Sequence, residues 1–586
     1  MSIMAAAFGK VGITSPHQDK LPEAQQNNDD ADNVPRMYRA QVNGRCDLQY
    51  IDSKKRKQNT QQDLDLDVWL WEWLYPNLLP TEDIPPLNHP PTYRHELIEG
   101  GIEGSVYRIL VEFPFRLFTN CGQDSIARPV MGKHGIPWLP GSSVKGLFRR
   151  ACGDNGEQIN KYCGNKANLT PGTAGLRFHG AYPLDNWGER IRDVVHPQEN
   201  LQVGCQEKKH ESAHPLISLY RPTLVFEFSA PPSSAVDWPE VKQILQRALT
   251  LGVGGKTSVS YGTSAYFSGE KATAPNVGAS HRQFRFTGDA LSPKLLTQES
   301  EFRPNLFKAT LRSHARRLLA GALGPPKPTK RGISPSDPME TEVNRLFGHT
   351  DAPGVVQVVW QPTDRPNDRK NSVIYHTEGI LHLGIDTNHP KARPDDDMDF
   401  VMQLLRFAYL MGGFGKSWRR VWHNTFYQSY QKFPIGCHWY SPDIVVVANQ
   451  SELKTFLNDL NKTCLSLPGF SGSHPKEWRE SWHPNRVAVY CRPNLTQDET
   501  VIRLFHNDTF KTTPAIGGKK PGDQRPTGVS SVWHRMVPIS DGYLEVVTVF
   551  HGDRAPWERE GKDQLLPFIK EIKAASLGLA WGTCPK

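Results

Sequence analysis

Cysteine is scarce: there are nine in a chain of 586 residues, and no two of them form a Cys-x-x-Cys pair. That excludes a disulfide scaffold and a compact zinc knuckle, and it fits a reducing cytoplasm. Long apolar runs are missing as well. The most membrane-like stretch, Val68 to Leu79, is too short to span a bilayer and contains Glu72, so no membrane partner is expected. Met1 to Thr14 lacks a charged start followed by an apolar stretch, so no secretory signal is read. Neither charge sign dominates: 69 Lys and Arg face 61 Asp and Glu, a net +8. That excess permits a polyanionic partner without requiring one. At about 150 residues per domain, the length points to two to four domains.

The chain is uneven along its length. Residues 17–35 are rich in Gln, Asn and Asp and read as disordered, giving a disordered N-terminus over 1–35. An N-terminal extension and Pro-rich linker follow over 36–100. The extension holds the Lys54-Lys55-Arg56-Lys57 run, which reads as a solvated loop or a phosphate-contacting arm. Trp69, Trp71 and Trp73 read as core or as a docking element, and Pro80 to Pro91 closes the extension.

Beyond residue 100 the pattern becomes regular. Tyr107 to Thr119 alternates apolar and polar positions as one strand would. Asp237-Trp-Pro-Glu240 reads as a capping box opening a helix whose apolar face holds Val241, Ile244, Leu245, Ala248 and Leu249, stopping at Gly252. A second helix begins near Asp395-Asp396-Asp397, carries Val401, Leu404, Leu405 and Ala408 on one face, and stops at Gly412. Later come an apolar-faced helix near Leu453 to Leu460 and a β-rich run, Tyr543 to Phe550.

The first two helices run into loops of nearly the same sequence: Leu251-Gly-Val-Gly-Gly-Lys-Thr257 and Met411-Gly-Gly-Phe-Gly-Lys-Ser417. Upstream of each lies a matching element, with Lys145 and Arg149 in one and Lys308 and Arg312 in the other. In both, Arg comes four positions after Lys, which sets two cations on one helical face. Lys145 to Lys256 spans 111 positions and Lys308 to Lys416 spans 108. Between them stand Tyr162-Cys163-Gly164 and Leu346-Phe347-Gly348. Three landmarks in one order make an internal duplication.

The Gly-Lys-Thr and Gly-Lys-Ser strings are not nucleotide-binding P-loops. Five positions before Gly255 stands Thr250, and five before Gly415 stands Leu410, where the motif needs Gly. Both loops also come after a helix rather than open one, so neither offers phosphate a helix N-terminus. A Gly-rich loop with one Lys suits a phosphodiester backbone instead, and the second adds Trp418, Arg419, Arg420 and Trp422. A helix C-cap and tight turn would explain one such loop. Two, each paired with a Lys-x-x-x-Arg helix, point to RNA. The expected RNA-binding set is Lys145, Arg149, Gly252, Gly254, Gly255, Lys256, Lys308, Arg312, Gly412, Gly413, Gly415, Lys416 and Arg419.

Gly135-Ile-Pro-Trp-Leu-Pro-Gly-Ser-Ser-Val-Lys-Gly-Leu-Phe-Arg149 resembles the signature of the RAMP (repeat-associated mysterious protein) superfamily of type III CRISPR effector subunits. Ala174 to Pro183 looks like that family's strand after its Phe-Gly landmark, and Gly252 to Gly262 looks like its Gly-rich motif. The first copy is most similar to head subunits of the Cmr (III-B) complex. The second copy is similar to the other Cmr head subunit, itself a double RAMP protein, but it departs from the signature at Asn305-Leu306. The resemblance covers roughly residues 100 to 430, with a weaker hint at Gly528 to Arg535.

That resemblance implies an α+β fold: two ferredoxin-like (RRM-like, β-α-β-β-α-β) RAMP domains in tandem, with the N-terminal extension and a C-terminal addition. The first RAMP domain is expected over 101–275, the second core over 281–440, and a C-terminal part of the second unit over 441–586. It also implies a cytoplasmic, antiviral ribonucleoprotein in which this chain holds CRISPR guide RNA and target RNA beside other RAMP-type subunits. Such head subunits are generally non-catalytic. RAMP subunits that cleave target RNA use an Asp in the loop before the Pro-Gly-Ser-Ser helix, and here the one acid in that loop is Asp124. An RNA endonuclease using Asp124 is therefore the alternative; His134 is the loop's only His. A protein-only scaffold is a third reading. No cofactor is expected, although Cys205, His210 and His214 have spacing that suits a structural zinc.

Overall fold

The computed structural model describes residues 106–585 apart from 124–125, 131–135, 165–174, 185–186, 196–214, 232–233, 276, 293–299, 325–336, 350–351, 366–373, 431–434, 519–529 and 553–554. The N-terminal extension, the Trp69–Trp73 segment, Asp124, His134, Cys205, His210 and His214 lie outside the described residues.

Helices and sheets mix along the chain in an α+β arrangement. The first set of elements is β1 (Tyr107–Glu112), α1 (Gly141–Ala151), β2 (Arg177–Pro183), β3 (Thr223–Ser229), α2 (Trp238–Thr250) and β4 (Tyr266–Phe267). These strands lie in one antiparallel sheet in the order β4-β1-β3-β2. The next set is β5 (Ala279–Leu291), α3 (Asn305–Gly321), α4 (Pro338–Phe347), β6 (Val356–Pro362), β7 (Ile374–Ile385), α5 (Pro394–Met411) and β8 (Cys437–Tyr440). Its sheet runs β6-β7-β5-β8, the same order seen from the other side.

The sequence does not anticipate a third sheet, and there is one. After α6 (Gln450–Ser466) come β9 (Val487–Asn494), α7 (Thr500–His506), β10 (Val532–Ile539), β11 (Gly542–Phe550), α8 (Leu565–Ala574) and β12 (Gly578–Gly582). They pair as β10-β11-β9-β12. In all three sheets the first strand lies between the third and the fourth, and the second strand forms an edge. A short, separate sheet formed by Arg116–Leu117, Asn120–Gln123, Ile126–Pro129, Ile191–Val195 and Pro215–Tyr220 sits beside the first.

Local chemistry explains several element boundaries. The alternating run from Tyr107 is one strand by pattern, yet the chain leaves the first sheet after Glu112. Pro114 has no N–H to add to a ladder, and the Phe113 N–H turns to Pro222 O at 3.1 Å. The run resumes at Arg116–Leu117 in the neighbouring sheet, paired with Leu219 and Tyr220. At the start of α2 the Asp237 carboxylate accepts from Glu240 N–H at 3.1 Å, one half of the expected capping box. Glu240 does not return the bond; its carboxylate accepts from Gln158, Lys161 and Tyr162 instead. The three Asp of α5 stand in its first turn, where negative charge suits the helix dipole. Of these, Asp397 is buried and receives both Arg345 Nη1 and Nη2, at 2.9 and 2.5 Å, tying α5 to α4.

The three apolar cores interlock. Residues Phe115, Phe118 and Tyr261 of the first set pack in the second core, as do Val487, Trp533, Val546 and Trp581 of the third. In the opposite direction, Val421, Trp422, Phe426 and Tyr427 leave the second set and pack in the third core.

Between the first and second sets lies a buried ion pair. Arg116, with no exposed surface, donates through Nε to Glu301 Oε1 at 2.5 Å and through Nη2 to Oε2 at 3.0 Å. Arg303 Nε adds a bond to Oε2 at 2.6 Å. Burial works against the Glu301 charge, but Arg116 and Arg303 outweigh it and hold the carboxyl down to about 2. A carboxyl depressed in the fold stabilises it above its unfolded value, and that contribution fades as pH falls toward the folded value. Glu301→Gln is therefore expected to cost roughly 3–5 kcal/mol at neutral pH, as breaking a buried pair does. Denaturant unfolding would show that loss at pH 7. It would also show the parent losing its advantage over Glu301→Gln between the usual 4.5 and about 2.

Candidate nucleic-acid interface

The two Gly-rich loops fold as connectors between sheets. In the first, Gly254 has φ +81°, and a Cβ there would stand 2.2 Å from Phe118 O, so only glycine fits. The loop amides turn inward: Val253 N–H donates to Gly262 O at 3.0 Å, Gly255 N–H to Phe118 O at 2.6 Å and Gly262 N–H to Arg116 O at 3.1 Å. These groups close the loop on itself and on the segment after β1, and the phosphodiester-facing role expected of the Gly255 amide is taken by protein. Gly252 lies buried at the helix end. Lys256 is half-buried in the left-handed region at φ +58°, and burial lowers its amine below the usual lysine value.

The loop then reaches the next sheet. The turn Thr257–Val259 packs against α3 and β6. Buried Ser260 donates its hydroxyl to Val358 O and accepts from Trp360 N–H, both at 3.0 Å. Those two β6 groups face away from β7, so Ser260 satisfies the open edge of the second sheet.

The second loop repeats this at the next junction. Gly413, at φ +135°, leaves room for Cys437 Sγ, which would be 2.7 Å from a Cβ. Gly412 and Gly413 are buried, and Phe414 O accepts from Trp439 Nε1 at 2.9 Å. Four positions after the loop lysine, where the first loop has Ser260, stands Arg420. Its Nη1 donates to Val532 O at 2.5 Å and its Nη2 to Ile516 O at 2.6 Å. The His534 N–H donates to Arg419 O at 2.9 Å. In both junctions the loop thus takes a carbonyl of the next set's second strand and the N–H two residues on.

Arg419 does not face solvent. Its Nη2 donates to Glu480 Oε1 and Oε2 at 2.8 and 2.9 Å, and Arg317 Nε reaches Oε2 at 2.7 Å. Glu480 has no exposed surface; burial opposes its charge, yet Arg419, Arg317 and Arg479 keep its carboxyl below the usual range. The aromatic planes expected for stacking bases are engaged too. Trp418 packs edge-on against His314 and Trp533 at 5.0 and 4.9 Å, and Trp422 is buried in the third core.

The duplicated Lys-x-x-x-Arg pairs diverge. Lys145 and Arg149 are half-exposed on α1, beside the buried Val144, Leu147 and Phe148. Lys308 is only 5% exposed, and burial followed by the nearby Arg312 pulls its amine down to about 8. Arg312 donates to Gly348 O at 2.8 Å and Asn344 Oδ1 at 2.7 Å, bracing the end of α4. The clearly exposed loop cation is Lys416, whose backbone bridges to Leu291. A Cβ on neighbouring Gly415 would stand 3.8 Å from Leu306 Cδ2. The two loops therefore meet on α3, the first through its turn and the second at the helix's first turn.

Arg116, Ser260, Glu301 and Glu480 make the junction contacts that the motifs do not announce. One signal was available: Arg116 interrupts the apolar run Phe113 to Phe118, and a cation there calls for a buried acid. Among the described residues no group of three His, Cys, Asp or Glu is arranged to hold a metal, and no helix is long and apolar enough to cross a membrane.

If the loops are connectors, Gly254→Ala should lower stability by about 1–3 kcal/mol or more through strain and the Phe118 clash. Lys416→Ala should stay within about 0.5 kcal/mol of the parent. Denaturant midpoints of the two variants check both expectations together.

Comparison with protein-family models finds no match, and comparison with curated proteins finds none. Among solved structures the chain is similar to the apo-form crystal structure of Cmr1 from Pyrococcus furiosus, at 13% identity and a TM-score of 0.32, over 52% of this chain and 99% of that one. It is also similar to a chain in the cryo-EM structure of the type III-B Cmr-beta bound to cognate target RNA, at 17% identity and a TM-score of 0.21, over 29% of this chain and 62% of that one. Neither overlap is close enough to transfer a residue role.

Proposed function

We propose that this chain is a non-catalytic RNA-binding and assembly subunit of a type III CRISPR interference ribonucleoprotein. In this reading it is built from ferredoxin-like RAMP units, and the third sheet makes a third such unit. The observation that carries the reading is the recurrence of one β-α-β-β-α-β strand order, with each Gly-rich loop docked on the next unit. The Pro140-Gly-Ser-Ser signature that opens α1 supports it from the sequence.

Guide or target RNA backbone would meet the cations that the fold leaves accessible: Lys145 and Arg149 on α1, Lys256 at the first junction and Lys416 at the second. Sequence would then be read by base pairing, with the protein holding phosphates. Arg312 and Arg419 brace protein groups, so their contribution would be indirect, and the glycines would shape the loops. Other RAMP-type subunits are the proposed protein partners.

The test is single-stranded RNA binding across a salt series by the full chain. Lys256→Ala with Lys416→Ala should bind more weakly and lower the log–log salt slope by about 1.4, at roughly 0.7 per phosphate contact. Unchanged affinity and slope in a folded variant would sink the reading. Asp124→Ala should leave RNA lengths as the parent leaves them; cleavage by the parent that this variant loses would establish the endoribonuclease instead.

A further inference from the structure

We infer that the Nε and Nη2 edge of Arg479 clasps a tetrahedral oxyanion of the phosphate class at the junction of the second and third sheets. Three arginines surround the buried carboxylate of Glu480, and two of them fill it. Arg419 Nη2 donates to both of its oxygens at 2.8 and 2.9 Å, and Arg317 Nε donates to Oε2 at 2.7 Å. Arg479 is left beside them: its Nη2 stands 3.9 Å from Glu480 Oε1, too far for a hydrogen bond. Its Nε and Nη2 are both buried, and neither has a hydrogen-bond partner among the described residues. Those two N–H groups form the parallel fork with which arginine grips two oxygens of one carboxylate or phosphate. A buried fork that grips nothing calls for an explanation.

The surroundings favour an anion. Burial lowers the Arg479 guanidinium below its usual value; Glu480 opposes that shift and Arg419 adds to it. Three guanidinium charges against one carboxylate leave an excess of positive charge. His314 does not add to it, because burial, followed by Arg317 and Arg419, holds its imidazole well below the usual value and therefore neutral. Its two ring nitrogens, Trp482 Nε1 and Trp533 Nε1 are buried without a partner as well. Trp533 packs on His314 and Trp482 at 5.6 and 5.7 Å, so unsatisfied donors gather at this one junction. Arg479 itself lies between α6 and β9, in a segment with no helix or strand, and 15% of its side chain is exposed. Turning the guanidinium outward gives up no hydrogen bond seen among the described residues, and Glu480 keeps its other two arginines. Exposed Lys416, three positions before Arg419, adds a cation on the same loop. The chemistry is common to free phosphate and to an RNA phosphodiester, and only the second source rests on the RNA-binding reading.

Calorimetric titration of the full chain with inorganic phosphate, at constant ionic strength, tests the site. The parent should bind phosphate, and Arg479→Gln should lose at least about tenfold in affinity, the scale of one charge-assisted hydrogen bond. Arg479→Lys keeps the charge without the fork and should still lose several-fold, which also supplies the readout should the Gln variant fail to fold. Arg503→Gln removes a charge from an exposed position on α7 and should bind as the parent does. Equal phosphate binding by the parent and the Arg479 variants, no binding by the parent, or an equal loss in Arg503→Gln overturns the proposal. A second titration adds a single-stranded oligoribonucleotide to the parent. Loss of phosphate binding on RNA addition identifies the phosphodiester as occupant; unaffected binding leaves an oxyanion site while counting against RNA there.

Discussion

A strand at the edge of a sheet leaves alternate N–H and C=O groups unpaired, and three sheets in one chain multiply the problem. Here the second strand of each later sheet has its open edge closed by the loop of the sheet before it. Ser260 does this for Val358 and Trp360, and Arg419 with Arg420 does it for Val532 and His534. The two solutions use different chemistry, a hydroxyl in one and a guanidinium plus a backbone carbonyl in the other, at positions equally spaced from the loop lysine. Everything else at the junctions is consistent with holding those bonds. The glycines let the loop fold back on the segment after β1 or against Cys437, and the carboxylates of Glu301 and Glu480 neutralise the arginines that the close approach buries.

The same constraint explains why function and packing compete for the same residues. Arg419 looks by spacing like a cation offered to RNA, yet next to Arg317 in a dry junction it needs Glu480. Trp418 and Trp422 look like stacking planes, yet they fill the space where the second core meets the third. What the fold leaves open to solvent among these cations is Lys416, with Lys145 and Arg149 half-exposed on α1. The two Gly-Lys loops thus share a sequence pattern while their individual positions make different contacts.

Much of the fold was legible because periodicity reports burial. The α2 face, the α5 face and the β11 run are set by apolar spacing, and the two Gly-Lys loops mark the ends of their helices. The third sheet was not legible because it lacks the Gly-Lys landmark on which the duplication rests, and its α8 passes to β12 through Ala575 to Leu577 alone. Side-chain partners across the junctions were hidden for a different reason. Arg116 and Glu301 stand 185 positions apart, and no local spacing connects them. The unequal fate of Lys145 and Lys308 was hidden likewise, because burial there is decided by which neighbouring set of strands arrives and not by the helix itself.

Loop-to-edge docking does not recur at the outer elements of the described residues. On the first sheet, the outer edge of β2 is already occupied: Leu139 N–H donates to Ala181 O and Ala181 N–H to Leu139 O, both at 2.9 Å. Two residues on stands Pro183, which has no N–H to give. The acceptor-and-donor pair that β6 and β10 offer to an incoming loop is therefore missing from β2. At the other end, the three-residue turn after α8 is spent closing the helix, with Ser576 N–H on Lys573 O at 3.0 Å and Leu577 N–H on Ile572 O at 3.3 Å. A turn that short cannot reach a further strand edge as the Gly-rich loops do. Among the described residues, the docking mode that joins the three sheets is seen at two junctions, first sheet to second and second sheet to third.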